Sequence, residues 1–95
     1  MDEIWMLTID GTSNGEYENA ATALLFKTYE EAERYVEDSF RDNVVNRSFS
    51  GEDYTADQLA AKIEETCKWY DETEAQYRDG ESIADYKIEK VKIPS

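Results

Sequence analysis

The sequence predicts a small α+β domain of order β-β-α-α-β, a three-stranded antiparallel sheet with two helices packed on one face. Three observations lead there. Residues 3–10 alternate apolar side chains to both sides of an extended chain; Thr28 and Thr55 each open a segment of helical spacing; and residues 82–93 alternate again. Ninety-five residues make one domain, 1–95, with room for one core. A content of 40% hydrophobic residues, with two Trp, seven Tyr and three Phe, marks a folded chain, because disordered acidic segments are poor in aromatics.

In residues 3–10, Ile4, Met6 and Thr8 face one way and Trp5, Leu7 and Ile9 the other. Both faces are largely apolar, the pattern of a central strand. Asn14-Gly15 is a strong two-residue hairpin signal. A turn centred there sets Ile9 opposite Ala20, Leu7 opposite Thr22 and Trp5 opposite Leu24, with a second strand over residues 20–26. A looser loop over residues 11–19 is the other arrangement these residues allow.

Thr28 followed by Glu31 makes a capping box. Beyond it Ala32, Val36 and Phe40 recur every four residues with Tyr35 beside them, predicting a helix over residues 29–42. Val44 extends that row by one step. Residues 43–53 read as a connection pinned by Phe49 and Val45.

The second helix has the fuller start signal. Thr55 and Gln58 form a capping box, Tyr54 and Leu59 a hydrophobic staple, and Asp57 sits where the helix dipole favours an anion. Its inner stripe reads Leu59, Ile63, Thr66/Cys67 and Tyr70, with Trp69 at the stripe's edge. The helix should fade over residues 74–78 and stop at Asp79-Gly80. In the last strand Tyr86 and Ile88 share one face, Val91 and Ile93 the other. Either a β-bulge falls near Glu89-Lys90 or the strand is buried on a different side at each end. Lys87, Lys90 and Lys92 suit an edge or the less acidic face, and the simplest closure sets this strand beside the first.

The formal net charge is −13, from 23 acids against 10 bases. Such a field repels nucleic acid and anionic membrane and favours basic partners; plain solubility is the competing reading. Cys67 is the only cysteine, so no disulfide framework and no C-x-x-C pair exist. It is expected to be a structural thiol. No apolar run approaches the roughly 20 residues that span a bilayer, and Met-Asp-Glu lacks the basic start of a signal peptide, so a cytoplasmic location in the host cell is expected.

The chain holds no histidine. That removes Ser-His and Cys-His nucleophile pairs, imidazole bases and nearly all zinc sites. Glycine-rich phosphate loops are missing too. The loop over residues 10–15 has a superficial likeness to a calcium loop, without its alternating acids or its bidentate glutamate. Neither an enzyme nor a cofactor or metal is expected.

What remains is surface. From Glu30 to Asp38 five acids meet one base; from Glu64 to Glu81 seven acids meet two. Helical neighbours project about 5–6 Å apart, comparable with phosphates along a strand. Aromatics interleave these acids, as protein interfaces favour. The candidate partner-binding residues are Glu30, Glu33, Tyr35, Glu37, Asp38, Glu64, Trp69, Asp71, Glu72 and Tyr77. The competing reading is two solvated helix faces.

Phe26-Lys-Thr-Tyr-Glu-Glu-Ala-Glu-Arg-Tyr35 leads a helix, and Asp85-Tyr-Lys-Ile-Glu-Lys-Val-Lys-Ile93 closes the chain. With the size and charge, these make the whole-chain pattern resemble the small acidic accessory proteins of phages and mobile elements, such as anti-CRISPR and anti-restriction proteins. The resemblance implies a non-enzymatic nucleic-acid mimic that binds a basic protein, a CRISPR or restriction effector, without touching nucleic acid itself, as a monomer or homodimer. It carries no binding residue across, and it requires the lysine-bearing last strand to lie away from the contact surface. A scaffold module that dimerises through its sheet is the alternative.

Overall fold

A computed structural model of the chain describes residues 3–13, 16–17, 22–50, 52–80 and 82–92. The elements are β1 (Glu3–Ser13), β2 (Glu16–Tyr17), β3 (Thr22–Phe26), α1 (Tyr29–Asn43), α2 (Ala56–Thr66), β4 (Cys67–Trp69), β5 (Glu74–Asp79) and β6 (Ser82–Lys92). A π-helical turn, Val44–Ser48, continues α1. The fold is α+β, but its antiparallel sheet is five strands across and not three. β2 and β3 share one side of β1; β6, β5 and β4 follow on the other.

β1 is central, as its two apolar faces predict. It pairs with β6 in unbroken register from Glu3↔Lys92 to Thr12↔Ile83. No bulge interrupts β6. Its change of phase has the other cause: Tyr86 and Ile88 face the helices, whereas Val91 lies on the opposite face, paired with Ile4. The lysines do not mark an edge, because β6 runs between β1 and β5.

The expected Asn14-Gly15 turn lies outside the described residues; beside it Ser13 pairs with Glu16. Lower in the hairpin the register is two residues away from that expected: Ile9↔Thr22, Leu7↔Leu24 and Trp5↔Phe26. An even offset leaves every side chain on its expected face.

Thr28 accepts from the Glu31 amide and caps α1. Ala32, Val36, Phe40 and Val44 form its buried row. Thr55 and Gln58 make the reciprocal capping box of α2. Tyr54 stacks on Phe49 at 4.9 Å between ring centroids. α2 stops at Thr66, before the expected stripe reaches Tyr70 and well short of the expected fade over residues 74–78. The Thr66 hydroxyl turns back to the Lys62 carbonyl, and Cys67 is already extended. Residues 67–69 and 74–79 are strands, with Cys67, Trp69, Ala75 and Tyr77 facing the helices. Tyr70 therefore leaves the inner stripe and is 56% exposed.

The core is one cluster: Leu7, Ala75, Tyr77, Tyr86 and Ile88 of the sheet under the α1 row, with Leu59 and Ile63 of α2 packed against it. Both helices thus cover the same sheet face. Tyr86 spans the layers, its hydroxyl 2.6 Å from Ser39 Oγ and 3.1 Å from Asn43 Nδ2. The Tyr77 hydroxyl is buried with no hydrogen-bond partner among the described residues. Ser48 donates to Asp79 at 2.7 Å and Arg47 to Ser82 at 2.9 Å, which ties the π-helical turn to the β5–β6 hairpin. That hairpin turns on Gly80 at φ 64°, the left-handed conformation for which glycine is suited.

Leu7→Ala is expected to cost about 2–5 kcal/mol, the usual range for emptying a fully buried leucine site. The two tyrosines separate more finely. Tyr86→Phe should cost roughly 1–2 kcal/mol, since two partners lose a hydrogen bond. Tyr77→Phe should cost less, because its hydroxyl has no hydrogen-bond partner of good geometry among the described residues. Urea denaturation of the three variants checks all of this, and a larger loss from Tyr77→Phe than from Tyr86→Phe would contradict it.

Candidate interaction surface

The expected partner-binding residues divide among three places. Glu30, Glu33 and Glu37 lie on the flank of α1 that faces α2 and the β4–β5 turn, because spacings of three and four keep them in one row. Glu72 joins them through space. Tyr29, at the start of the same row, donates its hydroxyl to the Glu72 carbonyl and approaches Glu33 Oε2 at 3.4 Å. Burial, then the charges of Glu33, Glu72 and Glu30, raise the Tyr29 pKa. This keeps the phenol a neutral donor at the meeting point of three carboxylates.

Further along, Glu37 and Glu64 stand on opposite lips of a groove between α1, α2 and β4. Its volume is about 380 Å³, and Phe40, Arg41, Ile63, Cys67 and Trp69 complete its lining. Trp69 is half-buried, with its ring edge-on to Phe40 at 6.3 Å. Among the described residues, none of Glu30, Glu33, Glu37, Glu64 and Glu72 is in an ion pair. The band they form therefore keeps its charge for a partner.

Tyr35 and Asp38 stand apart from that band. Tyr35 lies on the other flank of α1, against Phe26 of β3 at 5.6 Å. Asp38 pairs with Arg41. Asp71 is committed to the backbone. Its carboxylate accepts from the Thr73 amide at 2.7 Å, the Thr73 hydroxyl at 2.8 Å and the Glu74 amide at 2.9 Å. That is an Asx turn, and it builds the β4–β5 connection. Tyr77 is corrected outright. At 1% exposure it is a core residue of β5 and presents nothing to a partner.

The sequence sets Tyr29 among the aromatics that interleave the acids without choosing it as a contact residue, and gives Phe40 to the buried row. The one local signal for Tyr29 is its spacing of four from Glu33. Nothing local reveals its contact with Glu72, 43 residues away. Cys67 is half-buried, and burial raises its thiol pKa, opposed in part by the neighbouring Thr66 hydroxyl. That direction disfavours the thiolate a nucleophile needs. Among the described residues no cluster of three His, Cys, Asp or Glu side chains is arranged to hold a metal ion, and no helix is long and apolar enough to cross a membrane.

The Asx turn gives a pH dependence with a definite sign. Donors from Thr73 and Glu74 hold the Asp71 pKa below its ordinary value. A carboxylate depressed in the fold contributes its full stabilisation above its unfolded pKa of about 3.9 and loses it as pH falls through the folded value. Asp71→Asn should therefore destabilise the β4–β5 turn at neutral pH. The gap from the unsubstituted chain should close in acid. Denaturation at neutral and strongly acidic pH measures it, and a gap that widens in acid would be the wrong sign.

No protein-family model, no curated protein and no solved structure matches the chain.

Proposed function

We propose that this chain is a non-enzymatic inhibitor that binds the basic nucleic-acid-binding surface of a host defence complex, as anti-CRISPR and anti-restriction mimics do. The observation that carries the reading is a band of five carboxylates, Glu30, Glu33, Glu37, Glu64 and Glu72, in no ion pair among the described residues and running beside a groove floored by Phe40 and Trp69. A surface built to neutralise phosphates with Lys and Arg meets such a band as it meets a nucleic acid. Trp69 supplies the kind of half-buried aromatic that anchors protein contacts.

The basic residues are divided: Lys87 lies away from the band, whereas Arg41 lines the groove and Lys90 shares the helix face of the sheet. Lys87 projects from the sheet face opposite the helices, where it is 3.1 Å from Glu89. Lys90 is 2.9 Å from Glu3 and lies over the Trp5 ring. Glu3 holds Lys90 away from the carboxylates around Tyr29 only in part, since Trp5 packs on Tyr29 at 5.4 Å. A net charge of −13 still steers the whole molecule towards cationic surfaces.

The test is binding to purified CRISPR and restriction effectors, with duplex DNA as competitor. Reversing Glu30, Glu33, Glu37, Glu64 and Glu72 to Lys should weaken binding by at least about a hundredfold, roughly 2.7 kcal/mol, without loss of circular-dichroism signal. Affinity of the original chain should fall steeply as salt rises, and DNA should displace it. Equal affinity of the charge-reversed and original chains would end the mimicry reading. Asp71 is kept out of the reversed set, because its loss would disturb the turn and confuse the outcome.

A further inference from the structure

The two edges of the sheet are built differently. β4, at one edge, has three residues with the exposed Lys68 at its centre, the usual defence of an edge strand. β3, at the other, has five residues and no charge. It closes the longest uncharged run of the sequence, residues 19–26, in a chain where 35% of residues are charged. The next longest run, residues 4–9, belongs to β1, where a central position explains it.

Only β1 pairs with β3 among the described residues, so alternate amides and carbonyls along β3 point out of the sheet. Exposed apolar side chains border that edge on both sides. On the open sheet face Leu25 is 64% exposed and pairs with Met6, next to Ile4 and Val91. On the helix side Tyr35 is 42% exposed and leans on Phe26.

We propose that β3 pairs antiparallel with β3 of a second copy of this chain, about a two-fold axis, so that two five-stranded sheets join edge to edge. Antiparallel pairing of an edge with itself is two-fold symmetric, so the same patch serves both copies. In the register centred on Leu24, Leu24 meets its own counterpart, Ala23 meets Leu25, and Thr22 meets Phe26. Each outer pair sets a small side chain against a large one, and no charge is buried. An acidic partner surface would face no cation on this strand, and a basic one no anion. The uncharged edge best matches another uncharged edge. A five-residue ladder with these flanks falls short of the roughly 800 Å² per partner of standard interfaces, so the association is reversible and concentration-dependent.

Charge makes the proposal separable from the inhibitor reading. Two copies at −13 repel, so screening should strengthen the dimer, whereas it weakens an acidic band bound to a basic target. Sedimentation velocity from about 1 µM to about 1 mM, at roughly 0.05 and 0.5 M salt, should show a monomer–dimer equilibrium that shifts to dimer with concentration and salt. Ala23→Lys and Leu25→Lys, both at exposed positions, should each weaken it at least tenfold. Lys68→Glu on the opposite edge should not. Amides of β3 should exchange more slowly at the higher protein concentration. A monomer at every concentration overturns the proposal, and so does a dimer indifferent to Leu25→Lys or one that salt dissociates. None of these failures touches binding by Glu30, Glu33, Glu37, Glu64 and Glu72, which lie away from the β3 edge.

Discussion

The antiparallel ladder between β1 and β6 is the constraint on which the rest depends. It joins residues near the two ends of the described chain, and every other strand is added to one side of it or the other. Leu7 pairs with Ile88 and Ile9 with Tyr86, so the ladder lays down the apolar floor on which the α1 row sits. Neither helix has enough apolar surface of its own to be stable alone, since helices of 15 and 11 residues are marginal in water. They become stable only against that floor. Closing a loop of about 80 residues costs little more entropy than closing one of 40, but the contacts are distant in sequence, which slows folding more than it weakens the fold.

The parts of the fold legible in the sequence are those fixed by local chemistry. Thr28 and Thr55 cap their helices because a hydroxyl within reach of the third amide needs no distant partner. The row Ala32, Val36, Phe40 and Val44 is buried because its spacing leaves no other face apolar. β4 and β5 were illegible for a physical reason. Thr66 and Cys67 fall four residues after Lys62 and Ile63, in phase with the helix, so the inner stripe continues in the sequence past the point where the backbone leaves it. Residues 74–79 carry two acids and one buried alternation, Ala75 and Tyr77. Their identity as a strand comes from pairing with β6, which no short window contains.

The surface follows the same division. That Glu30, Glu33 and Glu37 share a flank is a matter of helical spacing and can be read directly. That Glu72 stands beside them depends on the β4–β5 turn, and hence on Asp71 drawing in the Thr73 and Glu74 amides. Asp71 and Tyr77 mislead because an acid and a tyrosine in an acidic run look like surface. One is consumed by the backbone and the other by the core. Tyr35 reads as part of the acidic face because it is close to those acids in sequence. Its angular position on α1 turns it towards β3 instead.

A chain with 23 acids and 10 bases must keep self-repulsion from opposing its own fold. Here Glu30, Glu33, Glu37, Glu64 and Glu72 sit on one flank of α1, on α2 and in a turn, where water screens them. The sheet's open face mixes signs, Lys87 with Glu89, and sets Gln76 against Asp85. The longest ladder, β1 with β6, carries its charges at exposed positions: Glu3 pairs with Lys90, whereas Asp10 stands opposite Asp85 and is left to solvent. The unpaired acids of the band are thus confined to the helix layer and its adjoining turn, and the β3 edge is left without any. Those two surfaces respond to ionic strength in opposite directions, because one presents charge and the other is opposed by it. Salt is therefore the variable that tells which of them governs the molecule's associations.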